Sequence, residues 1–342
     1  MAVRVGINGF GRIGRNFWRA AQSHGDVEVV AVNDLVPPAT NAHLLAYDST
    51  HGRLGVPVTA NDDFITAGDT SFRVFAERDP KALPWGDLGV EVVVESTGLY
   101  TDRAMAAAHV EAGARRVVIS APASDADATF VVGVNDATFD PESHVVVSNA
   151  SCTTNCFVPM IKVLDEAFGV EKGLMTTVHA FTNDQNLLDL AHKDLRRARS
   201  APVNIVPCST GAARATSLVM ASMKGKLDGS ALRVPVADGS ITDFTGVLAR
   251  EVTALEVNEA FRQAATTGPL SEVLIYSEAP IVSSDIVGSP ASCTFDAPLT
   301  MALGSMVKVF GWYDNEWGYS NRLVDLVRIV GGASAPGPEG RR

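Results

Sequence analysis

Short hydrophobic runs rich in β-branched residues alternate with amphipathic stretches through the first half of the chain. The runs predict strands at residues 3–8, 27–33, 90–95, 116–120 and 144–148. Strands separated by helix-like segments are typical of a parallel sheet covered by helices on both faces. Residues 48–79 interrupt this alternation with turn-rich, hairpin-like sequence, and we interpret them as an excursion within the first domain.

The pattern changes after Asn149. A helix is predicted at residues 152–168, and the longer runs at 173–179, 231–236 and 241–248 are typical of an antiparallel sheet. Pro159 would remove a backbone donor from this helix, so we expect either a kink there or a later start. The sequence therefore predicts an α/β protein, with a doubly wound parallel sheet in residues 1–150 and an α+β domain with a mostly antiparallel sheet in residues 151–317.

Two segments show no regular pattern. Residues 183–208 are polar and basic and contain no glycine, so we expect an ordered functional loop. Residues 331–342 are rich in glycine, proline and alanine, and we expect a flexible tail.

Composition and charge narrow the function classes. The 342 residues carry a net charge of −11, which disfavours nucleic acid as the main partner because phosphate-backbone binding needs a basic surface. No apolar run reaches the ~18 residues of a membrane span, and the N-terminus enters a strand pattern without signal-peptide regions. Four cysteines without Cys-x-x-Cys spacing, and histidines without a cluster, favour neither disulfides nor a metal site. We expect a cytoplasmic protein that binds no metal and no membrane.

Gly9, Gly11 and Gly14 form a G-x-G-x-x-G turn between the first predicted strand and a helix running towards Ser23. Such glycines let the backbone approach a pyrophosphate, which rests on the helix N-terminus. Asp34 follows the second predicted strand, 20 residues after Gly14, where a carboxylate binds a ribose diol and repels a 2′-phosphate. NAD is therefore favoured over NADP. The alternative is that the glycines only make a tight turn and Asp34 caps a strand.

Cys152 and His179 are the candidate reacting groups. Cys152 starts the predicted helix after Ser151, a plausible N-cap, and a helix N-terminus or a nearby imidazolium lowers the pKa of a thiol. His179 ends a β-rich run and could face the thiol, which would permit covalent catalysis on a carbonyl. The alternative for Cys152 is a buried apolar thiol. Cys156 is interpreted as a packed or partly reactive neighbour, and the two remaining cysteines, at 208 and 293, as structural.

A set of hydroxyl, amide and guanidinium groups further along the chain could bind phosphate oxygens. Its members are Thr182, Arg196, Arg197, Arg199, Thr210, Gly211 and Arg233. The alternative for the basic run at 193–199 is a solvated charged face. Because the following 207–211 turn contains small and hydroxyl residues, we consider phosphate binding and a solvated charged face equally well supported.

Taken together, these stretches resemble phosphorylating glyceraldehyde-3-phosphate dehydrogenases of the bacterial type. The similar segments follow one another in order at residues 5–15, 47–52, 95–98, 120–122, 148–156, 176–180, 209–211, 233–235 and 312–321. The resemblance covers about residues 3–330. Its most specific part is the hexapeptide Ser-Cys-Thr-Thr-Asn-Cys at 151–156.

The resemblance implies a homotetramer of subunits that pair an NAD-binding Rossmann domain with a catalytic domain, the last helix, about 318–330, completing the first domain. It identifies 183–208 as the family's S-shaped loop. The implied NAD contacts are Arg12, Ile13, Asp34, Arg78, Ser120, Asn183 and Asn315. The implied contacts to substrate and inorganic phosphate are Ser151, Cys152, Thr153, Thr182, Arg196 or Arg197, Thr210, Gly211 and Arg233.

The implied reaction is the oxidation and phosphorylation of glyceraldehyde 3-phosphate to 1,3-bisphosphoglycerate, with His179 as acid and base, in glycolysis or gluconeogenesis. Ala191, Cys208 and Asp238 depart from the family's commoner residues, which leaves room for altered affinity or cosubstrate choice in a specialised paralogue. Two alternatives stay open: a dehydrogenase for erythrose 4-phosphate or another phosphorylated aldehyde, and a non-catalytic binding scaffold.

Overall fold

The computed structural model describes residues 2–123 and 125–332, and their internal contacts divide them into two compact units. The first unit comprises residues up to Phe130, Asp136–Ala150 and the residues from Ser320 onwards, and the second comprises Val131–Asn135 and Ser151–Tyr319. Each unit has its own sheet.

The strands of the first unit are β1 Val3–Asn8, β2 Val27–Asn33, β3 Tyr47–Asp48, β4 Gly52–Arg53, β5 Val58–Ala60, β6 Phe64–Ala67, β7 Thr70–Phe75, β8 Val92–Glu95, β9 Arg116–Ile119, β10 Ala128–Thr129 and β11 Val146–Ser148. Its helices are α1 Arg12–Ala21, α2 Pro38–Ala46, α3 Arg103–Ala106 and α4 Ala108–Glu111, with single 3-10 turns at Pro80–Ala82 and Asp136–Thr138.

The main sheet of the first unit has the strand order β10-β11-β9-β8-β1-β2-β7-β6-β5. The pairs from β10 to β7 are parallel, and β7, β6 and β5 are joined antiparallel. The inner strands β1, β8 and β9 are almost wholly buried. This explains why β8 and β9 contain three consecutive hydrophobic residues each rather than an alternating pattern. The predicted doubly wound parallel sheet is confirmed.

The 48–79 segment contributes more than the excursion that its sequence predicts. Its hairpins are present as β3–β4 and β5–β6–β7. In addition, β7 pairs in parallel with β2 and so extends the main sheet. The pairing joins strands far apart in the chain, and local turn signals carry no information about such a partner.

The strands of the second unit are β12 Val170–Ala180, β13 Val206–Ser209, β14 Leu227–Val234, β15 Ser240–Leu248, β16 Leu274–Ser277, β17 Cys293–Asp296, β18 Met301–Leu303 and β19 Met306–Tyr313. Its helices are α5 Cys152–Phe168, α6 Ala212–Val219, α7 Ala254–Thr266 and α8 Ser283–Ile286, with 3-10 turns at Ala201–Val203, Ala221–Met223 and Ala297–Leu299.

The second sheet runs in the order β13-β14-β12-β15-β19-β17-β16, with β18 paired to β19. Most neighbours are antiparallel, as predicted, but β12 pairs with β14 in parallel, as does β16 with β17. The predicted mostly antiparallel sheet is confirmed, and the parallel pairing of β12 with β14 is an exception that the pattern did not predict. Half-buried strands have the same period of two in either direction, so the pattern cannot distinguish them.

Helix α5 is the central helix of the second unit and packs against the sheet and against α6 and α7. It begins at Cys152, where Ser151 Oγ accepts a hydrogen bond from Thr154 N at 3.0 Å, and it continues through Pro159. The predicted bounds are confirmed. Phe157 and Met160 of this helix join the same buried core as Phe244 of β15.

The last helix, α9 Trp317–Gly331, ends among the residues of the first unit. There Arg328 Nη2 forms an ion pair with Asp26 at 2.6 Å, and Arg116 Nη1 donates to the Val330 carbonyl at 3.0 Å. A Cβ on Gly331 would approach the Val3 side chain to 2.5 Å, so the helix end packs closely on β1. The predicted tail lies, from residue 333 onwards, outside the described residues.

Within residues 2–123 and 125–332, we find no helix with the length and apolar character needed to cross a membrane.

Candidate active site

The glycine turn of the first unit links β1 to α1 and is tightly packed. Gly9 has φ +92°, and a Cβ there would lie 2.7 Å from the backbone of Ser96 and Thr97. A Cβ on Gly14 would lie 2.2 Å from the Gly9 carbonyl oxygen, whereas one on Gly11 would meet no atom within 4 Å. The turn therefore requires glycine at 9 and 14 for its own packing, and Gly11 leaves open space beside the first turn of α1. This is the cradle that a pyrophosphate needs.

Asp34 lies beside the same turn. Its Oδ2 accepts a hydrogen bond from Phe10 N at 2.7 Å, and its Oδ1 accepts one from Val36 N at 2.9 Å. A carboxylate oxygen accepts up to two hydrogen bonds, so each retains a site for a ribose hydroxyl. The carboxylate thus both supports the glycine turn and offers acceptors at the end of β2.

Arg12 begins α1, and its Nη1 donates to Asp48 Oδ2 at 2.6 Å. Burial raises the pKa of Asp48, but hydrogen bonds from the His51 and Thr50 amides and from Arg12 outweigh it and lower that pKa to about 2. Asp48 therefore holds the Arg12 guanidinium as a fixed ion pair.

The other expected cofactor residues of the first unit occupy less distinctive places. Ile13 is the second residue of α1, Arg78 is exposed after β7, and Ser120 follows β9 with its amide donating to the Glu95 carbonyl at 2.9 Å. In this unit, the glycine cradle and Asp34 are therefore the features whose geometry fits a dinucleotide.

In the second unit the structure brings Cys152 and His179 together. Cys152 Sγ, in the first turn of α5, lies 3.4 Å from His179 Nε2, near the end of β12. His179 Nδ1 lies 2.7 Å from the Ala180 carbonyl oxygen, which can only accept a hydrogen bond, and 3.0 Å from Arg233 Nη1, which can only donate one. In the tautomer that donates to Ala180, the ring proton is on Nδ1. Nε2 is therefore free to accept the proton of the thiol.

The electrostatics of the pair differ from those expected for a thiol at a helix N-terminus. Burial raises the pKa of Cys152 to about 11, and the Arg233 cation and donors from Thr153 only partly oppose it. Burial and the Arg233 cation lower the pKa of His179 to about 3. The expected lowering of the thiol pKa is wrong, because desolvation outweighs the favourable donors. The resting pair is a neutral thiol facing a neutral imidazole.

Arg233, in β14, anchors a polar cluster next to His179. Its Nη1 donates to the Ala180 carbonyl at 3.0 Å and to Thr182 Oγ1 at 3.1 Å. Thr182 Oγ1 in turn donates to Asp184, and Arg197 Nη1 donates to the same carboxylate. Two of the predicted anion-binding cations and one predicted hydroxyl are thus brought together around Asp184.

Arg196, by contrast, is exposed and enters the hydrogen-bond network of this loop through its backbone amide, which donates to Asp194 at 2.9 Å. Arg199 pairs with Asp189 at 2.8 Å. For these two residues the geometry matches the solvated-face alternative, and it favours Arg197 as the member of the pair that lies at the site.

The remaining predicted phosphate residues flank helix N-termini. Ser151 Oγ caps α5, and the buried Thr153 hydroxyl lies 2.8 Å from Tyr313 OH. Thr210 Oγ1 accepts a hydrogen bond from Ala212 N at 3.2 Å, and Gly211 precedes α6. These groups thus lie at the N-terminal ends of α5 and α6, two helices that pack against each other.

The two cofactor residues expected in the second unit differ in burial. Asn183 is exposed in the loop after β12. Asn315 is buried, and its Oδ1 accepts a hydrogen bond from Ser240 Oγ at 2.7 Å, which itself accepts from Ala180 N at 3.1 Å. Asn315 is thereby connected through Ser240 to the residue that orients the His179 ring.

Sequence reasoning missed Tyr313 and Asp184. Tyr313 OH lies 2.8 Å from both Thr153 Oγ1 and Thr177 Oγ1, and its ring meets the His179 ring edge-on at 5.8 Å. Tyr313 is distant in the chain, and no local signal identifies it. Asp184 was identifiable in principle, since it follows the predicted Thr182 by two residues, but a carboxylate was not expected among anion-binding groups.

The other cysteines are buried. Cys156 and Cys293 lie in the core, where a Cβ on Gly311 would approach the Cys293 sulfur to 2.6 Å and that of Cys156 to 3.2 Å. Cys208 is buried in β13. The packing interpretation of these residues agrees with their places in the structure.

A Rossmann-type unit with a dinucleotide cradle, together with a unit carrying a cysteine–histidine pair, defines a dehydrogenase that works through a covalent thiol adduct. The chain belongs to the glyceraldehyde-3-phosphate dehydrogenase family. Residues 3–103 match the model of its NAD-binding domain, and residues 151–315 match the model of its C-terminal domain.

Named relatives agree over nearly the whole length. The chain is 62% identical over 332 residues to glyceraldehyde-3-phosphate dehydrogenase 1 of Streptomyces avermitilis, covering 97% of this chain and 99% of that protein. It is 60% identical over 333 residues to the enzyme of Streptomyces coelicolor and 59% identical over 338 residues to that of Mycobacterium tuberculosis, each with the same coverage.

Proposed function

We propose that this chain oxidises D-glyceraldehyde 3-phosphate with NAD and inorganic phosphate to 1,3-bisphosphoglycerate, a reaction of glycolysis and gluconeogenesis. The observation that carries the proposal is the 3.4 Å approach of Cys152 Sγ to His179 Nε2 in a chain of this family. The pair supplies both a nucleophile and a proton acceptor for an aldehyde.

In the first step His179 Nε2 takes the thiol proton as Cys152 Sγ adds to the aldehyde carbon, and it returns the proton to the resulting oxyanion. The product is a hemithioacetal. The Cys152 amide and the histidine ring are candidate donors to the oxyanion, each worth about 3–4 kcal/mol in other acyl-transfer sites. The neutral imidazole is the correct starting form for this exchange.

In the second step His179 takes the hydroxyl proton while a hydride leaves the same carbon, which becomes a thioester. Bound NAD supplies the hydride acceptor. Inorganic phosphate then attacks the thioester carbon, the C–S bond breaks, and the departing thiolate recovers a proton from His179. The energy of oxidation is retained in an acyl phosphate.

The polar clusters suggest two anion sites. Arg233, Thr182 and Arg197 would bind one phosphate, and Asp184, which accepts hydrogen bonds from Thr182 and Arg197, would orient these two side chains. Ser151, Thr153, Thr210 and Gly211 would bind the other at the N-termini of α5 and α6. Guanidinium forks and helix amides are the usual ligands of such oxygens.

For the cofactor we propose the turn residues Gly9, Gly11 and Gly14 beneath the pyrophosphate and Asp34 at the adenosine ribose. The remaining contacts proposed for NAD are those of Arg12, Ile13, Arg78, Ser120, Asn183 and Asn315.

We also propose a homotetramer that resides in the cytoplasm. The 183–208 loop exposes large apolar side chains, among them Leu187, Leu188 and Leu195, each at least 74% exposed in the single chain. Isolated loops rarely carry so many, and burial against a second copy would remove them from water. The four cysteines are free, as a reducing compartment favours.

A steady-state assay tests the reaction. We expect NAD reduction with glyceraldehyde 3-phosphate to require inorganic phosphate, and Cys152→Ser to abolish turnover while NAD still binds. Faster, phosphate-independent oxidation of erythrose 4-phosphate would support the other dehydrogenase. Absence of NAD reduction with either sugar phosphate, in a chain that circular dichroism shows to be folded, would support the non-catalytic scaffold.

A further inference from the structure

A carboxylate is buried beneath the glycine turn of the first unit, at the ends of β1 and β8. Glu95 is 2% exposed and His109 is fully buried. Glu95 Oε1 accepts hydrogen bonds from Thr97 N at 2.8 Å and Thr97 Oγ1 at 2.5 Å. Its Oε2 lies 2.6 Å from Asn8 Nδ2 and 3.0 Å from His109 Nε2. All four acceptor positions of the carboxylate are thus in use.

The direction of the bonds on the His109 side is fixed by Trp85. Its indole Nε1–H can only donate, and it lies 3.0 Å from His109 Nδ1. Nδ1 must therefore accept, which places the imidazole proton on Nε2, where it points at Glu95. An imidazolium would set two donors against each other at Trp85, so His109 is neutral.

The direction on the Asn8 side is fixed by the backbone of Glu77. Asn33 Oδ1 accepts from Glu77 N at 2.8 Å, and Asn33 Nδ2 donates to the Glu77 carbonyl at 2.9 Å. Asn33 Nδ2 also donates to Asn8 Oδ1 at 2.7 Å. The Asn8 amide therefore has a single orientation, with Nδ2 directed at Glu95.

His109 and Asn8 thus both donate hydrogen bonds to Glu95. Neither can become an acceptor there, because the Trp85 indole fixes the first and the Glu77 backbone, through Asn33, fixes the second. An amide in place of the carboxyl group would set its N–H groups against Thr97 N at one oxygen, or against Asn8 Nδ2 and His109 Nε2 at the other, so the site requires a carboxyl group. Burying such a polar group is costly unless its hydrogen bonds are made, and a sheet does not need one in order to fold.

The segments that Glu95 joins form the wall of the dinucleotide turn. Ser96 Oγ donates to the Gly9 carbonyl at 2.6 Å, and Ser96 N donates to the Asn8 carbonyl at 2.8 Å. Gly9 has no room for a Cβ against Ser96 and Thr97, nor Gly14 against Gly9. A displacement of residues 96–97 would therefore be transmitted directly to the turn.

We propose that Glu95 is a positioning residue for NAD: its four-donor carboxylate holds Asn8 and Thr97 so that the turn from Gly9 to Gly14 keeps the shape that receives the pyrophosphate. The inference rests on NAD binding by this chain and is independent of the aldehyde that it oxidises.

Glu95→Gln tests the inference, because the glutamine amide must face donors at one oxygen or the other. In the full chain, calorimetric titration with NAD should give a Kd at least 10-fold above wild type. The value of kcat at saturating NAD should change less than 3-fold, because Cys152 and His179 are untouched. Glu28→Gln, at an exposed position on β2, is the matched control and should leave both values within 2-fold of wild type.

A double variant distinguishes an effect of hydrogen-bond direction on NAD affinity from a general disruption of the packing around Glu95. Trp85→Phe removes the donor that fixes His109, so the ring can move its proton to Nδ1 and accept at Nε2 from the amide introduced by Glu95→Gln. This relieves one of the two donor conflicts at that oxygen and leaves the one with Asn8 Nδ2, so the recovery should be partial. We expect Glu95→Gln/Trp85→Phe to recover at least 3-fold of the lost NAD affinity. Additive or greater loss would overturn the directional network.

Further outcomes keep the inference falsifiable. If wild type fails to bind NAD, the proposed function fails; if wild type binds and folded Glu95→Gln binds within 2-fold of it, only this inference fails. If circular dichroism shows that Glu95→Gln does not fold, His109→Phe decides, since it removes one donor to Glu95. The inference then requires a several-fold higher Kd for NAD at nearly unchanged kcat, and a Kd within 2-fold of wild type overturns it.

Discussion

Arg233 holds its guanidinium against the His179 imidazole, with Nη1 3.0 Å from Nδ1. The cation lowers the pKa of His179 and also that of Cys152. The cation therefore disfavours the protonated form of His179 and favours the thiolate form of Cys152. The same Nη1 also donates a hydrogen bond to Thr182 Oγ1. One side chain thus couples the reacting pair to the proposed phosphate site.

Arg233→Gln should weaken both functions. Loss of a charge-assisted hydrogen bond to phosphate costs about 1.5–3 kcal/mol, so the KM for glyceraldehyde 3-phosphate should rise roughly 10- to 100-fold. Loss of the cation raises the pKa of Cys152, and below that pKa each unit of increase lowers the thiolate fraction 10-fold. Iodoacetamide alkylation at pH 8 should therefore slow by about 10-fold. Arg199→Gln, which removes a cation of the 183–208 loop that is paired with Asp189, is the control; alkylation of Arg233→Gln at the wild-type rate would contradict the coupling.

His179→Asn should lower kcat at least ~100-fold, because asparagine is of similar size but cannot accept the thiol or hydroxyl proton at Nε2. Stopped-flow measurement of NADH formation, with a separate titration of NAD binding, distinguishes lost chemistry from lost cofactor. NAD affinity should stay within 2-fold of wild type. His192→Asn is the matched control, and a near-normal rate for His179→Asn would remove this residue from the mechanism.

Asp34→Ala should narrow the preference for NAD over NADP about 10-fold. The carboxylate repels a 2′-phosphate and accepts from a ribose diol, and here it also holds Phe10 N at 2.7 Å. NAD affinity itself should therefore fall as well. Dissociation constants for both cofactors, compared with those of the exposed control Asp62→Ala, provide the measurement. If the ratio of the two dissociation constants is unchanged, the 183–208 loop rather than Asp34 distinguishes NAD from NADP.

The sequence was sufficient where a structural requirement is local. The glycine turn, the burial of β1 and the capping of α5 by Ser151 each depend on neighbouring residues, and each was predicted with its position. The approach of His179 to Cys152 was anticipated only as a possibility, because it depends on where β12 lies relative to α5.

Long-range pairings were not accessible in the same way. The parallel alignment of β12 with β14 places His179 opposite Arg233, and nothing in either strand specifies its partner. Tyr313 reaches Thr153 and Thr177 from the last strand of the sheet for the same reason. These contacts follow from packing, which a local pattern of hydrophobic and polar residues does not encode.

Asp48→Asn should destabilise the first unit in a pH-dependent manner. The pKa of Asp48 is lowered from 3.8 to about 2, so its stabilising effect is complete above pH 3.8 and is lost as the pH falls through about 2. At pH 7 the variant should lose about 1–2 kcal/mol of unfolding free energy, discounted because Arg12 is partly exposed to solvent. Urea unfolding at pH 7 and pH 3, with Asp69→Asn as control, should show the difference shrinking at the lower pH; a constant difference would contradict the ion-pair account.

Leu187→Asp should reduce the size of the assembly. Leu187 is 74% exposed in the single chain, and at least two further leucines of the same loop are equally exposed. If a second copy covers this loop, an aspartate there must be buried without a partner, which costs several kcal/mol per interface. Light scattering should give wild type a mass near four times the 36.1 kDa of one chain, and the variant a smaller mass. Leu255→Asp, which alters an equally exposed leucine at the start of α7, should leave the assembly intact. A loop variant that keeps the wild-type mass would show that this surface faces solvent in the native protein.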